Sequence, residues 1–282
     1  YFPEFEWGMS PALNHQIGGP EGFYLGQLFW RIDTSFKLRR NLSLFTSFGL
    51  NIYDTFDDFS NPSQSTIPHV RSDIQYYLEE GKNHIERMQL QYMASPWEDV
   101  FVRADLGLLE NMFAGVGGEI LYRPFNKRVA FGLSAHRVRQ RDYDQRFSLR
   151  DYETTTGHAS IYFDLPSGIQ PKIIMGKYLA GDKGITLDLS RRFETGFTVG
   201  VFASKTNLSI EEFGEGSFDK GFYISVPTKL FYGDYSSGMI SFGLHPLTKD
   251  GAALLRQHNP LFGILGDTDR ASISRDWLYL LD

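Results

Sequence analysis

Residues 100–108 place Val100, Val102, Ala104, Leu106 and Leu108 on one side of an extended chain, and Phe101, Arg103, Asp105 and Gly107 on the other. The same period of two returns along most of the sequence. In 87–94, Met88, Leu90, Tyr92 and Ala94 oppose Arg87, Gln89, Gln91 and Met93. In 158–165, Ala159, Ile161, Phe163 and Leu165 oppose His158, Ser160, Tyr162 and Asp164. In 185–190, Ile185, Leu187 and Leu189 oppose Thr186, Asp188 and Ser190. Residues 41–52 follow suit, broken at Phe45 and Thr46. An amphipathic helix needs recurrence near 3.6 residues, so these segments are strands.

Short turn signals separate the runs: Pro124-Phe125-Asn126, Pro166-Ser167-Gly168 and Glu194-Thr195-Gly196. Such connections pair neighbouring strands antiparallel. The connections over 54–82, 140–156 and 207–219 are longer. Short turns at one end and long loops at the other are the asymmetry of outer-membrane barrels. About 13 strand candidates fit the pattern, and bacterial barrels usually carry even numbers, so 12–14 strands are expected. Helix is confined to 69–80, with Val70, Ile74 and Leu78 at spacing four, and to 268–281, with Ile273, Trp277 and Leu280. The expected organisation is one barrel over 1–256 and a tail over 257–282 with a short helix docked on the barrel end.

Alternation also suits a soluble sandwich or lipocalin-like barrel. Three features favour the membrane. Many strands share one chain with no second core. Aromatic residues gather at strand ends: Trp7, Phe23, Tyr24, Trp97, Phe101, Tyr122, Phe125, Phe131, Tyr178, Phe193, Phe197, Tyr232 and Tyr235. The polar face carries full charges, among them Arg31, Asp33, Arg103, Asp105, Glu119, Arg123 and Asp188, and must meet water in a lumen or outside. No apolar run reaches the roughly 20 residues of a spanning helix. A net charge of −6 argues against nucleic acid. The absence of cysteine excludes disulfides, thiol catalysis and thiolate metal sites. The chain begins at Tyr1 with no signal-peptide pattern, and reads as a piece of something longer.

The richest charged stretch is 137–150. Arg137, Arg139 and Arg141 share one face of a strand, and Asp142, Asp144, Arg146 and Arg150 continue into a loop. Such a mixed cluster suits sugar hydroxyls and carboxylates, with arginine as a bidentate donor. Asp182 and Lys183 sit in a tight turn, and Glu215 and Asp219 in an acidic loop. These eleven residues are the candidate sugar contacts. Gly115, Gly117 and Gly118 lack the context of a dinucleotide fingerprint and instead permit close backbone approach. Glu110 and Glu119 are a formal glycosidase pair with nothing to fix their separation. The seven histidines form no metal motif. No catalytic residue, metal or cofactor is expected.

The stretches MFAGVGGEILYRPF (112–125), VRQRDYDQRFSLRDYETTTGH (138–158), YLAGDKGITLDLSRRFETGFTVGVFASKTN (178–207) and FGEGSFDKGFYISVP (213–227) resemble the YjbH/GfcD family. Its members are outer-membrane proteins of Gram-negative exopolysaccharide and capsule gene clusters. The resemblance runs over about residues 1–256. Family chains are longer, so this piece looks like the C-terminal barrel part, without the N-terminal region and any lipoprotein signal. The resemblance implies a part in producing or exporting exopolysaccharide or capsular polysaccharide. It implies outer-membrane lipid around the barrel and export proteins of the same gene cluster as partners. It carries no established catalytic residue. Two other roles stay open: a plugged barrel that docks export machinery, and a polysaccharide-modifying enzyme that uses loop carboxylates such as Glu119 or Glu215. Many outer-membrane barrels end on an aromatic residue, whereas this chain ends Leu280-Leu281-Asp282.

Overall fold

Strands form wherever the alternation runs, and tight turns end them. The computed structural model describes residues 2–19, 22–55, 65–193, 195–213, 218–227, 239–244 and 250–268. Among the described residues there are thirteen strands: β1 (Glu4–Gly19), β2 (Gly22–Arg39), β3 (Leu42–Asp54), β4 (His84–Trp97), β5 (Val100–Leu108), β6 (Phe113–Tyr122), β7 (Val129–Arg141), β8 (Leu149–Phe163), β9 (Ile169–Lys177), β10 (Lys183–Arg192), β11 (Thr198–Thr206), β12 (Asp219–Pro227) and β13 (Met239–Leu244). They make one sheet in chain order, each strand antiparallel to its neighbour. The all-β class and strand number agree with the alternation. Among the described residues no register joins β13 to β1, so the sheet is open and the expected closure is not observed.

The turns follow local chemistry. Asp99, at φ 59°, bends the chain between β4 and β5. Gly168, at φ 72°, closes the turn from β8 to β9; a Cβ there would lie 1.9 Å from the Arg192 carbonyl oxygen. Only glycine fits such a place. The connections over 40–41, 98–99, 123–128, 164–168 and 193–197 share one end of the sheet. Those over 20–21, 55–83, 109–112, 142–148, 178–182 and 207–218 share the other; the longest, 55–83, falls at that end, and 228–238 falls at the first.

β8 starts earlier than the sequence reading puts it. Residues 149–155, expected as loop, belong to β8: Glu153, Thr154 and Thr155 pair with Arg139, Val138 and Arg137, and Leu149 pairs with Arg141 beyond a bulge between Arg139 and Arg141. Exposed charged and threonine positions there hid the strand, because they face water on one side and give no apolar alternation. Helix is scarce. α1 (Ile74–Glu80) is shorter than the expected 69–80, since Val70 and Arg71 lie in a preceding turn. α2 (Ile210–Phe213) and α3 (Leu261–Ile264) are single turns. A 3-10 turn, Leu265–Thr268, follows α3; the helix expected from there to 281 otherwise lies outside the described residues.

The sheet curls. Asn14 of β1 and Asp219 and Tyr223 of β12 line one cavity of about 670 Å3. Its two faces reverse the order of a soluble β-protein. The inner face buries Arg103, Asp105, Glu119, His136, Thr156, His158, Thr186, Ser190 and Ser204. The outer face exposes Leu106, Val116, Ile120, Phe131, Leu133, Leu187, Leu189 and Val201, with Leu187 52% accessible. At the short-turn end Trp97, Tyr122, Phe125 and Phe193 are exposed as well. Tyr178, read as an aromatic-belt residue, is fully buried. Its hydroxyl bonds the Thr186 hydroxyl at 2.7 Å.

Candidate functional site

The inner face owes its order to strand register. Arg103, Glu119, Ser134 and His158 stand opposite one another on β5 to β8. One step along, Gln91, Asp105, Gly117, His136 and Thr156 form the next row. Gly117 is needed here. A Cβ at that position would meet the His136 ring at 2.3 Å. His136 Nε2 thereby comes to 3.7 Å from Asp105 Oδ2. Gln89 and Gln91 donate to Asp105 Oδ1 at 3.2 and 2.7 Å. Arg103 is wholly buried and pairs with Asp105 at 3.1 Å and Glu119 at 3.4 Å.

These groups grip a strap, residues 250–264, that threads the interior. Arg103 Nη1 donates to the carbonyls of His258 and Asn259 at 2.7 and 2.8 Å, and Nη2 to Gln257 Oε1. Leu261 N donates to Glu119 Oε2 at 3.0 Å. At the long-loop end, Ala252 N donates to Asp182 Oδ2 at 2.8 Å. Asp250 accepts from Arg71 N, Ser72 N and Ser72 Oγ at 2.7, 2.9 and 2.6 Å. Glu110 binds Arg71 through both oxygens, at 2.7 and 3.1 Å, and accepts from Arg256 N at 2.9 Å. An apolar cluster packs on the strap at each end. Val70, Tyr77, Phe113, Val138, Leu179 and Leu255 pack at the long-loop end. Leu121, Ala130, Tyr162 and Leu261 pack at the short-turn end, where Phe262 stacks on Tyr162 at 3.9 Å. The strap thus crosses from one end to the other. The tail expected from residue 257 onward begins inside it, along the wall.

The expected sugar-contact residues separate. The bulge after Arg139 turns Arg141 inward, away from the face it was expected to share with Arg137 and Arg139. Arg141 is fully buried and donates to the carbonyls of Glu110, Ile85, Gln145 and Arg146 at 2.7, 2.8, 2.5 and 3.0 Å. It therefore pins the 142–148 turn and cannot reach a ligand from solvent. Arg137 and Arg139 stay on the outer face and pair with Glu153 and Asp151 at 2.5 and 3.5 Å. Asp142, Asp144 and Arg146 do come together in that turn, and Arg150, at the start of β8, reaches Asp142 at 3.8 Å. Asp142 and Asp144 accept from Tyr143 N and Arg146 N, both at 3.0 Å, and Arg150 lies 4.0 Å over the Tyr143 ring. Asp182 is buried on the strap, and burial raises its carboxyl above the ordinary value despite the Ala252 N–H. Lys183 is exposed. Asp219 is buried on the cavity wall, and its Oδ1 accepts from Lys220 N at 2.9 Å. Glu215 lies outside the described residues.

A family model described as "Exopolysaccharide biosynthesis protein YbjH" matches residues 1–267. The chain belongs to the YjbH family. A curated relative, "Uncharacterized lipoprotein YjbH" of Escherichia coli (strain K12), is 37% identical over 276 residues. The match takes in 93% of this chain and 39% of the relative, so the chain spans about two fifths of that relative's length.

In this YjbH-family chain the buried charged rows lie outside the loop residues expected as ligand contacts. Arg31, Arg103, Asp105, Glu119 and Asp188 were legible as a charged strand face. Sequence gave no sign that 250–264 lies against that face, because the strap has no periodicity. Glu110 and Glu119, the formal glycosidase pair, each hold an arginine and a strap amide. Beside the strap, the 670 Å3 cavity presents Arg31, Glu86, Lys172, Asp188, Ser204 and Tyr223. That lining offers many polar contacts of both signs. Among the described residues no group of acidic and histidine side chains is placed to hold a metal.

Proposed function

We propose that this chain is the transmembrane β-barrel portion of an outer-membrane protein that takes part in exopolysaccharide production or export. The observation that carries the reading is the reversed polarity of the sheet: charges inside, leucine, valine and aromatic side chains outside. Lipid suits that outer face, and water suits that lumen. The outward Arg137–Glu153 and Arg139–Asp151 pairs stand towards the long-loop end, beyond the apolar band, where headgroups and water begin. The barrel performs no bond-making step in this reading. It contacts a hydrated chain through replaceable polar groups, since transport requires weak binding at many positions.

The strap favours a resting state that is plugged on the β4–β8 side and passable only beside β10–β12. It equally suits the docking role, in which export proteins engage a filled barrel. Heat-modifiability tests the barrel. Membrane-extracted chain in mild detergent is expected to change gel mobility only after boiling. A chain that is soluble without detergent and shows no shift would refute it. Planar-bilayer conductance then separates the roles. Low basal conductance that rises when 255–262 is replaced by a Gly/Ser linker favours a gated conduit, and unchanged conductance favours docking.

A further inference from the structure

Three inward rows run beside the strap: Glu119, Ser134 and His158 form the first, Gly132, Ser160 and Ile174 the second, and Tyr162, Lys172 and Asp188 the third. Between these rows and the strap lies a cavity of about 190 Å3, enough for one pyranose ring with its substituents. Lys172 lines both this cavity and the larger one, so it stands where they adjoin.

The charges around this space are unevenly satisfied. Glu119 is held by Arg103 at 3.4 Å and by the Leu261 amide at 3.0 Å. Asp188 accepts from the Tyr223 hydroxyl at 3.0 Å. Lys172 makes no ion pair within 4.0 Å among the described residues, and its ammonium lies 5.3 Å from the Tyr162 ring centre. His158 is 9% accessible, and its Nε2 has no hydrogen-bond partner. A buried polar atom left unbonded is costly. Lys172, which faces the Asp188 and Glu119 charges without a close ion pair, and His158, with an unbonded buried ring nitrogen, therefore line one small cavity together with the hydroxyl residues Ser134, Ser160 and Tyr162.

We propose that this cavity is a subsite for an acidic sugar residue, whose carboxylate is held by Lys172 and whose hydroxyls meet His158, Ser134 and Ser160. The assignment rests on the reading of the chain as an exopolysaccharide-handling barrel. A carboxylate suits the site better than a phosphate ester. Phosphate sites usually gather several donors or an arginine fork, whereas one lysine is a point charge. The position beside the larger cavity lets one residue of a longer glycan enter while its neighbours stay in the wider space.

Calorimetric titration of the folded, detergent-solubilised chain tests this with D-glucuronate, D-glucose and inorganic phosphate. Glucuronate is expected to bind at least about tenfold more tightly than glucose, the scale of one charge-assisted hydrogen bond. Phosphate should bind more weakly than glucuronate. Lys172→Met should weaken glucuronate by about tenfold or more, and Lys172→Arg should retain most of the affinity. Equal affinity for glucose and glucuronate overturns the proposal, as does phosphate binding as tight as glucuronate or an unchanged Lys172→Met. The heat-shift gel on each protein keeps the two readings apart. A wild-type shift without glucuronate binding removes the subsite and leaves the barrel. If Lys172→Met fails to shift, Lys172→Arg and His158→Gln carry the test. His158→Gln is then expected to lose affinity several-fold, and no loss overturns the proposal.

Discussion

Arg103→Met should release the strap. The guanidinium is wholly buried, pairs with Asp105 and Glu119, and donates to the His258 and Asn259 carbonyls. Methionine keeps most of the volume and removes every one of those bonds. Asp105 then retains Gln89 and Gln91, but Glu119 is left with the Leu261 amide as its remaining hydrogen-bond donor. Breaking a buried ion pair from one side typically costs ~3–5 kcal/mol. That amounts to roughly a hundredfold to a few thousandfold in an opening equilibrium. The cost falls first on residues 255–264, because the strap has no ladder hydrogen bonds to keep it in place, whereas each inner strand has two neighbours. Hydrogen exchange read by mass spectrometry, on protein that still shows the heat shift, measures it. Peptides over 255–264 should exchange faster by that factor, while β5–β8 change little. Arg137→Met is the matched control: the Arg137–Glu153 pair is exposed, and its loss should cost no more than about 1 kcal/mol. Strap protection within about threefold of wild type in Arg103→Met would show that Arg103 does not hold the strap.

Two further outcomes follow from the same geometry. Leu187→Arg, on the outer face at mid-strand, should lower the folded fraction in lipid by ~2–4 kcal/mol if lipid covers that face; tolerance within about 0.5 kcal/mol, as for an ordinary surface site, would remove the membrane from the account. His69, on the 65–82 segment, has a raised pKa: burial opposes its charge, but the Ser65 carbonyl and the Asp73 carboxylate 2.7 Å away outweigh it. Its contribution is therefore full below the ordinary value of 6.5 and is lost as pH rises through the folded value. The heat-shift midpoint of the wild type should fall from pH 5.5 to 8 more steeply than that of His69→Gln, and parallel slopes would contradict it.

Much of the wall was legible in the sequence, and little of its filling. Period two located the strands because most separate an apolar face from a polar face, as in β10, where Ile185, Leu187 and Leu189 point out. It lost β8 before residue 156, where Asp151 and Glu153 occupy the outer face and erase the contrast. It misplaced Arg141, because a single-residue bulge inverts every side chain after it and leaves no mark in composition. The strap escaped for a different reason. Its contacts are made by backbone carbonyls and amides, which every sequence possesses, and their partners lie far away along the chain: Leu261 meets Glu119 and Ala252 meets Asp182. The charged rows could be named one strand at a time, but that they converge on the strap is a property of the curled sheet alone.

Strict neighbour pairing of the strands also orders how such a molecule comes into being. Each hairpin can zip onto the one before it with short loop closures, which are fast. The filler cannot. Residues 250–264 lie far along the chain from the strands that grip them, and Arg103 bonds a carbonyl 155 residues further on, a contact that closes a long loop and forms slowly. Walls therefore precede contents. Strands β4–β8 can pair while their buried charges still lack the strap, so the inner face is complete in register before it is complete in hydrogen bonds.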